Sequence, residues 1–270
     1  MKNLLLYFAL AYGISWLVWL PLWLPYLGIT GLPVLPDQHY LGSYGPALAA
    51  LIVLYVTKGK EGVRDLCRRV FLWRVAPVWY AVVFGGMFLL FIAGALIAQE
   101  VNGQAFTLRG FGVNREFPAL NMTGYFLMNL LTFGFGEEIG WRGFALPELQ
   151  RRFNALWSTL ILTLFWATWH TPAFFYRPGY SSMGAGDIAG FFFSILTGSV
   201  VLTWLYNSTK GSILIVALLH AMVEMIFVSD NITPEISMYE GMLFMLAAIV
   251  IVFWTKPMHL SRLPRQQNTS

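Results

Sequence analysis

Charge is scarce in this sequence. Of its 270 residues only 11% are Asp, Glu, Lys or Arg, against 57% hydrophobic and 17% aromatic. Soluble globular domains carry about 25% charged residues, so an ordinary water-solvated fold is excluded, and so is disorder. Cysteine is almost missing as well. Cys67 stands alone, which rules out a disulfide scaffold and says little about redox compartment. Internal repeats and low-complexity tracts are absent, and nothing has the glycine period of a collagen-like fibre.

What the sequence does have is apolar length. Hydrophobic runs fall at 4–27, 40–57, 76–98, 120–136, 155–173, 188–206, 212–229 and 238–255. Most approach the ~20 residues a helix needs to cross ~30 Å of hydrocarbon. The pattern predicts an all-α integral membrane protein of about eight transmembrane helices. It forms one membrane domain, read in three stretches: 1–119, 120–230 and 231–270. The first run follows Lys2 but is too long for a signal peptide and lacks a small-x-small cleavage site, so it is read as a mature span. The short 120–136 run predicts a helix continuing past Glu137. Segment 58–75 places its charges on one side and Val63, Leu66, Val70 and Phe71 at helical spacing, which predicts an interfacial amphipathic helix. The Gln-Gln-Asn-Thr-Ser tail reads as a frayed end.

Basic residues orient the spans. With the N-terminus inside, the cytoplasmic side collects Lys2, Lys58, Lys60, Arg64, Arg68, Arg69, Arg74, Arg151, Arg152, Lys210, Lys256, Arg262 and Arg265. The outside receives Arg109, Arg115 and Arg177, and Arg142 fits neither loop set. Eight crossings with both termini cytoplasmic satisfy this asymmetry, in a multi-pass protein of the cell (plasma) membrane. The net charge of +4 therefore reports orientation toward the lipid bilayer, with no nucleic-acid partner.

An ionisable group inside a membrane is costly and marks a functional site by default. Glu137-Glu138, His170, His220 and Glu224 are such groups. Glu138 and Arg142 are four apart, share a helix face and can pair. Glu137 is rotated by about 100° onto another face with no local cation, an arrangement that suits a general base. The blander reading is a helix N-terminus, where Gly136 precedes two acids that complement the dipole. His170 precedes Thr171-Pro172, so its helix ends or kinks there, and a single histidine in an apolar helix is more often a hydrogen-bonded core residue than a catalyst. His220 and Glu224 are also four apart and could form a private hydrogen bond, a proton relay or a metal pair. His39, His259 and Glu240 are expected in contact with water. Taken together these groups suffice to activate water, to bind a metal or to carry protons.

The arrangement Glu137-Glu138-x-x-x-Arg142, an aromatic-x-x-x-His170, and His220 followed four residues later by a polar residue resembles the CPBP (CAAX protease and bacteriocin-processing) intramembrane endopeptidases. That family includes the Rce1-type enzymes that trim prenylated CAAX proteins. The resemblance covers roughly 120–230 and implies a membrane endopeptidase acting on a membrane-associated protein or peptide, lipidated in the CAAX case. It implies that Glu137 and His170 activate a water, that His220 donates to the oxyanion, and that Glu138 and Arg142 orient the helix. The sequence departs from the family at two positions. Trp166 stands where Phe is common, and Glu224 stands where an Asn supplies the second oxyanion donor. An ionised Glu224 would repel an oxyanion, so it must be neutral to donate or do something else, such as ligate a metal.

No HExxH motif occurs. Metal-free hydrolysis is the favoured reading, and a zinc ion held by Glu137, His170, His220 and Glu224 is the alternative. A proton-coupled transporter would be favoured by an inverted repeat, which is not seen. A non-catalytic scaffold would not require the Glu-Glu-x-x-x-Arg arrangement. Depth poses a conflict. On ideal spans Glu137 lies toward the cytoplasm, whereas His170 is more than ~20 Å from the start of its helix. For them to meet, 137–154 must fold into the membrane or the helices must be offset and tilted, and the expectation is a water-filled cavity open toward the cytoplasm with a helix that starts later than 155.

Overall fold

Each apolar window folds as a helix in the computed structural model, which describes residues 2–103, 105 and 107–268. Among the described residues every regular element is helical. Helix α1 (Lys2–Trp23) ends in the tight turn Leu24–Leu27. Helix α2 (Gln38–Gly42) leads into α3 (Gly45–Val70), and α4 is Val78–Asn102. Helix α5 covers 122–150 without a break. It is followed by α6 (Ala155–Trp169), α7 (Ala173–Tyr176), α8 (Ala185–Ser208), α9 (Ile213–Val228) and α10 (Pro234–Thr255). Five segments are long and apolar enough to cross a bilayer alone, namely α1, α2–α3, α4, α8 and α10.

Polar side chains mark where the remaining helices begin. Asn121, Asn154 and Ser212 each accept from the backbone N–H three residues on, at 2.9, 2.8 and 3.3 Å. Asn154 therefore keeps the start of α6 at 155, and the later start posed above is not adopted. The depth conflict is resolved by helix length instead. Helix α5 runs thirteen residues past Glu137, which places that carboxylate about 20 Å from the helix end. Helix α6 has only 15 residues, about 22 Å, so His170 terminates it inside the bundle.

Segment 58–75 folds as expected in type but splits its apolar face. At Gly59 (φ 60°, ψ −153°) the backbone takes a conformation that glycine tolerates and other residues rarely do. The helix beyond it turns aside. Leu66 is buried in the protein while Phe71 is 74% exposed. Arg69 reaches back to the Gly143 carbonyl and the Tyr206 hydroxyl, both at 2.8 Å.

Two expectations are corrected here. The tail is not frayed over its described part: Gln266 N–H donates to Asn207 Oδ1 at 3.0 Å, Gln267 to the Gln150 carbonyl at 2.7 Å and Asn268 to Glu148 at 3.0 Å. The last carbonyls of a helix lack partners within it, and at Gln150 the tail supplies donors, from Arg265 and Gln267. Thr269 and Ser270 lie outside the described residues. Glu240 is fully buried rather than solvated, with its side chain against Gly94 of α4 and no hydrogen-bond partner for either oxygen.

Candidate active site

Helix α5 carries the two glutamates on the turn Gly136–Gly140, flanked by widened π-helical turns at Leu130–Phe135 and Trp141–Ala145. Such turns re-aim side chains and recur at functional sites. Two glycines let α3 pack against this turn. A Cβ at Gly136 would lie 2.9 Å from the Ser43 carbonyl oxygen, and one at Gly140 would lie 2.5 Å from Pro46.

The outcome for Glu138 agrees with the spacing and extends it. Glu138 and Arg142 are both wholly buried, with Nη1 2.9 Å from Oε1. Arg142 also donates to Ser199 Oγ on α8 at 3.0 Å and lies 4.4 Å from the Trp166 ring centre. His220 Nδ1 is 2.7 Å from the same Glu138 oxygen. The private His220–Glu224 hydrogen bond is not formed among the described residues; Glu138 takes its place.

Trp166 is the residue whose importance the sequence did not reveal. Its indole N–H donates to Glu137 Oε2 at 2.7 Å, and its carbonyl lies 2.8 Å from His170 Nδ1. The indole is the hydrogen-bond partner of Glu137. The signal available was Trp166 four residues before His170, which puts one residue within reach of both. Ser199 was missed for a different reason, because a serine in an apolar span carries no pattern of its own.

The end of α6 explains why His170 is held. A helix that stops inside the membrane leaves its last carbonyls unpaired. Here Tyr12 donates to Phe165 O at 2.5 Å, Thr171 to Thr168 O at 2.6 Å and Trp16 to Trp169 O at 2.9 Å, while the His170 ring takes Trp166 O. Because a carbonyl can only accept, His170 carries its proton on Nδ1 and leaves Nε2 free.

Glu137, His170, His220 and Glu224 line one cavity of about 1110 Å³. They do not converge as metal ligands. Among the described residues no three His, Cys, Asp or Glu side chains are placed to hold a metal ion, so the four-residue zinc set does not fit one in this arrangement. Its exposed lining residues Ser182 and Asp187 mark the mouth, at the bundle end opposite the basic loops. His39 also lies on the wall, with Nδ1 2.8 Å from the Tyr176 hydroxyl.

At the mouth Arg177 forms a two-pronged pair with Glu116, one arm at 2.7 Å, and Tyr40 donates to the same carboxylate at 2.8 Å. Burial alone would push the Glu116 carboxyl up, but the hydrogen bonds from Arg177 and Tyr40 outweigh it and hold the carboxyl below its usual range. The resulting stability is complete above the unfolded carboxylate value of about 4.3 and is lost as pH falls through the lower folded value. The apparent melting temperature of the detergent-solubilised protein is therefore expected to drop on acidification below about pH 4. Glu116→Gln should melt lower at neutral pH and lose less over the same acid range.

Comparison with known proteins finds two similarities. A family model described as type II CAAX prenyl endopeptidase Rce1-like matches residues 119–226, the stretch that holds Glu137, Glu138, Arg142, Trp166, His170, His220 and Glu224. The curated protein CAAX prenyl protease 2 of Methanococcus maripaludis is 27% identical over 265 residues, covering 92% of this chain and 93% of that protein. Over residues 119–226 the chain is similar to the Rce1-like CAAX prenyl endopeptidases, and it is an integral membrane protease.

Proposed function

We propose that Glu137 is the general base of a metal-free peptide hydrolysis. The observation that carries this reading is that one residue, Trp166, holds both Glu137 and His170 at the wall of a cavity that His220 also lines. With Oε2 engaged by the indole, the other Glu137 oxygen takes a proton from water as the hydroxide oxygen attacks the scissile carbonyl. His170 accepts the second hydrogen of that water at Nε2 and so fixes its direction.

His220 stabilises the oxyanion. Its Nδ1 hydrogen is committed to Glu138, so Nε2 can donate only when the ring is an imidazolium, and the Glu138 carboxylate balances that charge. Glu224 completes the donor set as a neutral carboxyl. When the tetrahedral intermediate collapses, Glu137 returns its proton to the departing amine. Glu138 and Arg142 position His220 and the helix without touching the reacting atoms.

The substrate is a membrane-associated protein or peptide. The name of the Methanococcus maripaludis relative makes a prenylated C-terminal peptide the first client class to assay. A lipid on such a client has apolar wall to occupy, including Phe193, Phe244 and Met242. We place both termini on the cytoplasmic side of the plasma membrane, on the strength of the loop charges.

The test is cleavage of a quenched lipopeptide by purified, metal-depleted protein in detergent. Cleavage is expected to persist in chelator and to vanish in Glu137→Ala and His220→Ala. Loss on chelation with recovery on adding zinc would sink the metal-free mechanism. Undiminished cleavage by both variants would sink the site.

A further inference from the structure

Four residues of α5 that line the cavity recur at steps of four: Tyr125, Asn129, Phe133 and Glu137. An α-helix turns about 100° per residue, so such a row would drift by about 40° at each step. The widened turn at Leu130–Phe135 holds more residues per turn and offsets that drift. The row therefore stays on one face of α5, as a stripe that ends at the proposed base. Asn129 stands eight residues before Glu137 on that stripe, about 12 Å away along the helix.

The mechanism gives Asn129 no task, yet its side chain is out of balance. It is 1% exposed, and its amide nitrogen has no hydrogen-bond partner. Buried polar groups are normally paired, so an unpaired donor on a cavity wall marks a place for an acceptor that enters the cavity. Tyr125 accepts from Asn114 Nδ2 at 3.0 Å, which leaves its own proton to donate. The Asn129 amide lies beside that hydroxyl without reaching bonding geometry. Room for a chain is left by α8, which meets the same cavity with Gly186 and Gly190. A Cβ added at either glycine would have nothing within 4 Å.

We infer that Asn129, oriented by Tyr125, binds the main chain of the substrate roughly three to four residues from the bond that is cut. A half-turn of its amide gives Oδ1 to the Tyr125 proton and Nδ2 to a peptide carbonyl in the cavity. An extended chain rises about 3.3 Å per residue, so the distance of about 12 Å to Glu137 spans that many residues. Every residue of a peptide carries a carbonyl. The contact is therefore sensitive to the length and extension of the substrate and blind to its side chains. Asn129 touches no reacting atom. This assignment rests on the reading of Glu137 as the residue at the scissile bond.

The test uses quenched lipopeptides with four residues on each side of the scissile bond, and versions cut back to two on either side. In detergent, wild type should suffer from one truncation alone, with KM rising about 3- to 10-fold, the worth of one neutral hydrogen bond. Asn129→Leu should show that raised KM on the full peptide, with kcat within about twofold, and no further rise on truncation. Tyr125→Phe should move the same way by a smaller amount, and it stands in if Asn129→Leu fails to fold. A truncation penalty that survives undiminished in the folded variants, or is absent from the wild type, overturns the inference. So does a fall in kcat with KM unchanged. Cleavage by Glu137→Ala sinks the site itself, so a failed site and a failed binding contact give different results.

Discussion

Glu137→Gln is expected to lower kcat by about 10²- to 10⁴-fold, the range a positioned general base supplies, while KM and the melting temperature stay near wild type. The substitution is isosteric and its amide oxygen can still accept the Trp166 N–H that now holds Oε2 at 2.7 Å. What it loses is the ability to take a proton from water. KM should hold because the base acts on the water and not on the substrate. Steady-state cleavage in detergent and a thermal unfolding curve on the same preparation check the two halves. A kcat within threefold of wild type would remove Glu137 from the chemistry. A matching collapse in melting temperature would reassign it to structure.

Arg142→Leu is expected to act on stability, and heavily. Its partner Glu138 has no exposure at all, and breaking a buried pair costs about 3–5 kcal/mol, a loss that His220 at 2.7 Å from the same Glu138 oxygen offsets only in part. The lost contacts to Ser199 and the Trp166 ring add to this. Adding Glu138→Gln to Arg142→Leu should recover part of the loss, because the buried carboxylate that loses its guanidinium is then gone, although His220 loses its charge partner and activity stays low. Arg142→Lys should rescue poorly, since an ammonium cannot stack on Trp166 and reach Glu138 and Ser199 together. Denaturant unfolding in mixed micelles measures the three variants against the wild type. A loss below about 1 kcal/mol for Arg142→Leu, the value typical of an exposed pair, would contradict the placement of this charge.

The helices and their order were legible because lipid demands long apolar runs, and such runs are visible one chain at a time. The Glu138–Arg142 pair was legible for the same kind of reason, since i to i+4 spacing is a local property. The contacts between helices were not. Nothing within α6 says that Trp166 faces Glu137, because an indole in an apolar run reads as core. Nothing within α9 says that His220 prefers Glu138 to Glu224 four residues away. The continuation of the short 120–136 run past Glu137 was legible, but its length was not, and α5 running on to Gln150 is what sets Glu137 at mid-depth.

The docked tail has a consequence for how the protein is made. Arg265 and Gln267 both donate to the Gln150 carbonyl at the end of the helix that carries the site, at 2.8 and 2.7 Å, across sequence separations of 115 and 117 residues. At a synthesis rate of about 5–20 residues per second, several seconds or more separate the making of that helix end from the arrival of its partners. Through that interval α5 and the five helices after it must be inserted with this rim of the bundle still unfastened. Assembly of the protease is thus completed last at the face farthest from its active site, as a late step of biogenesis.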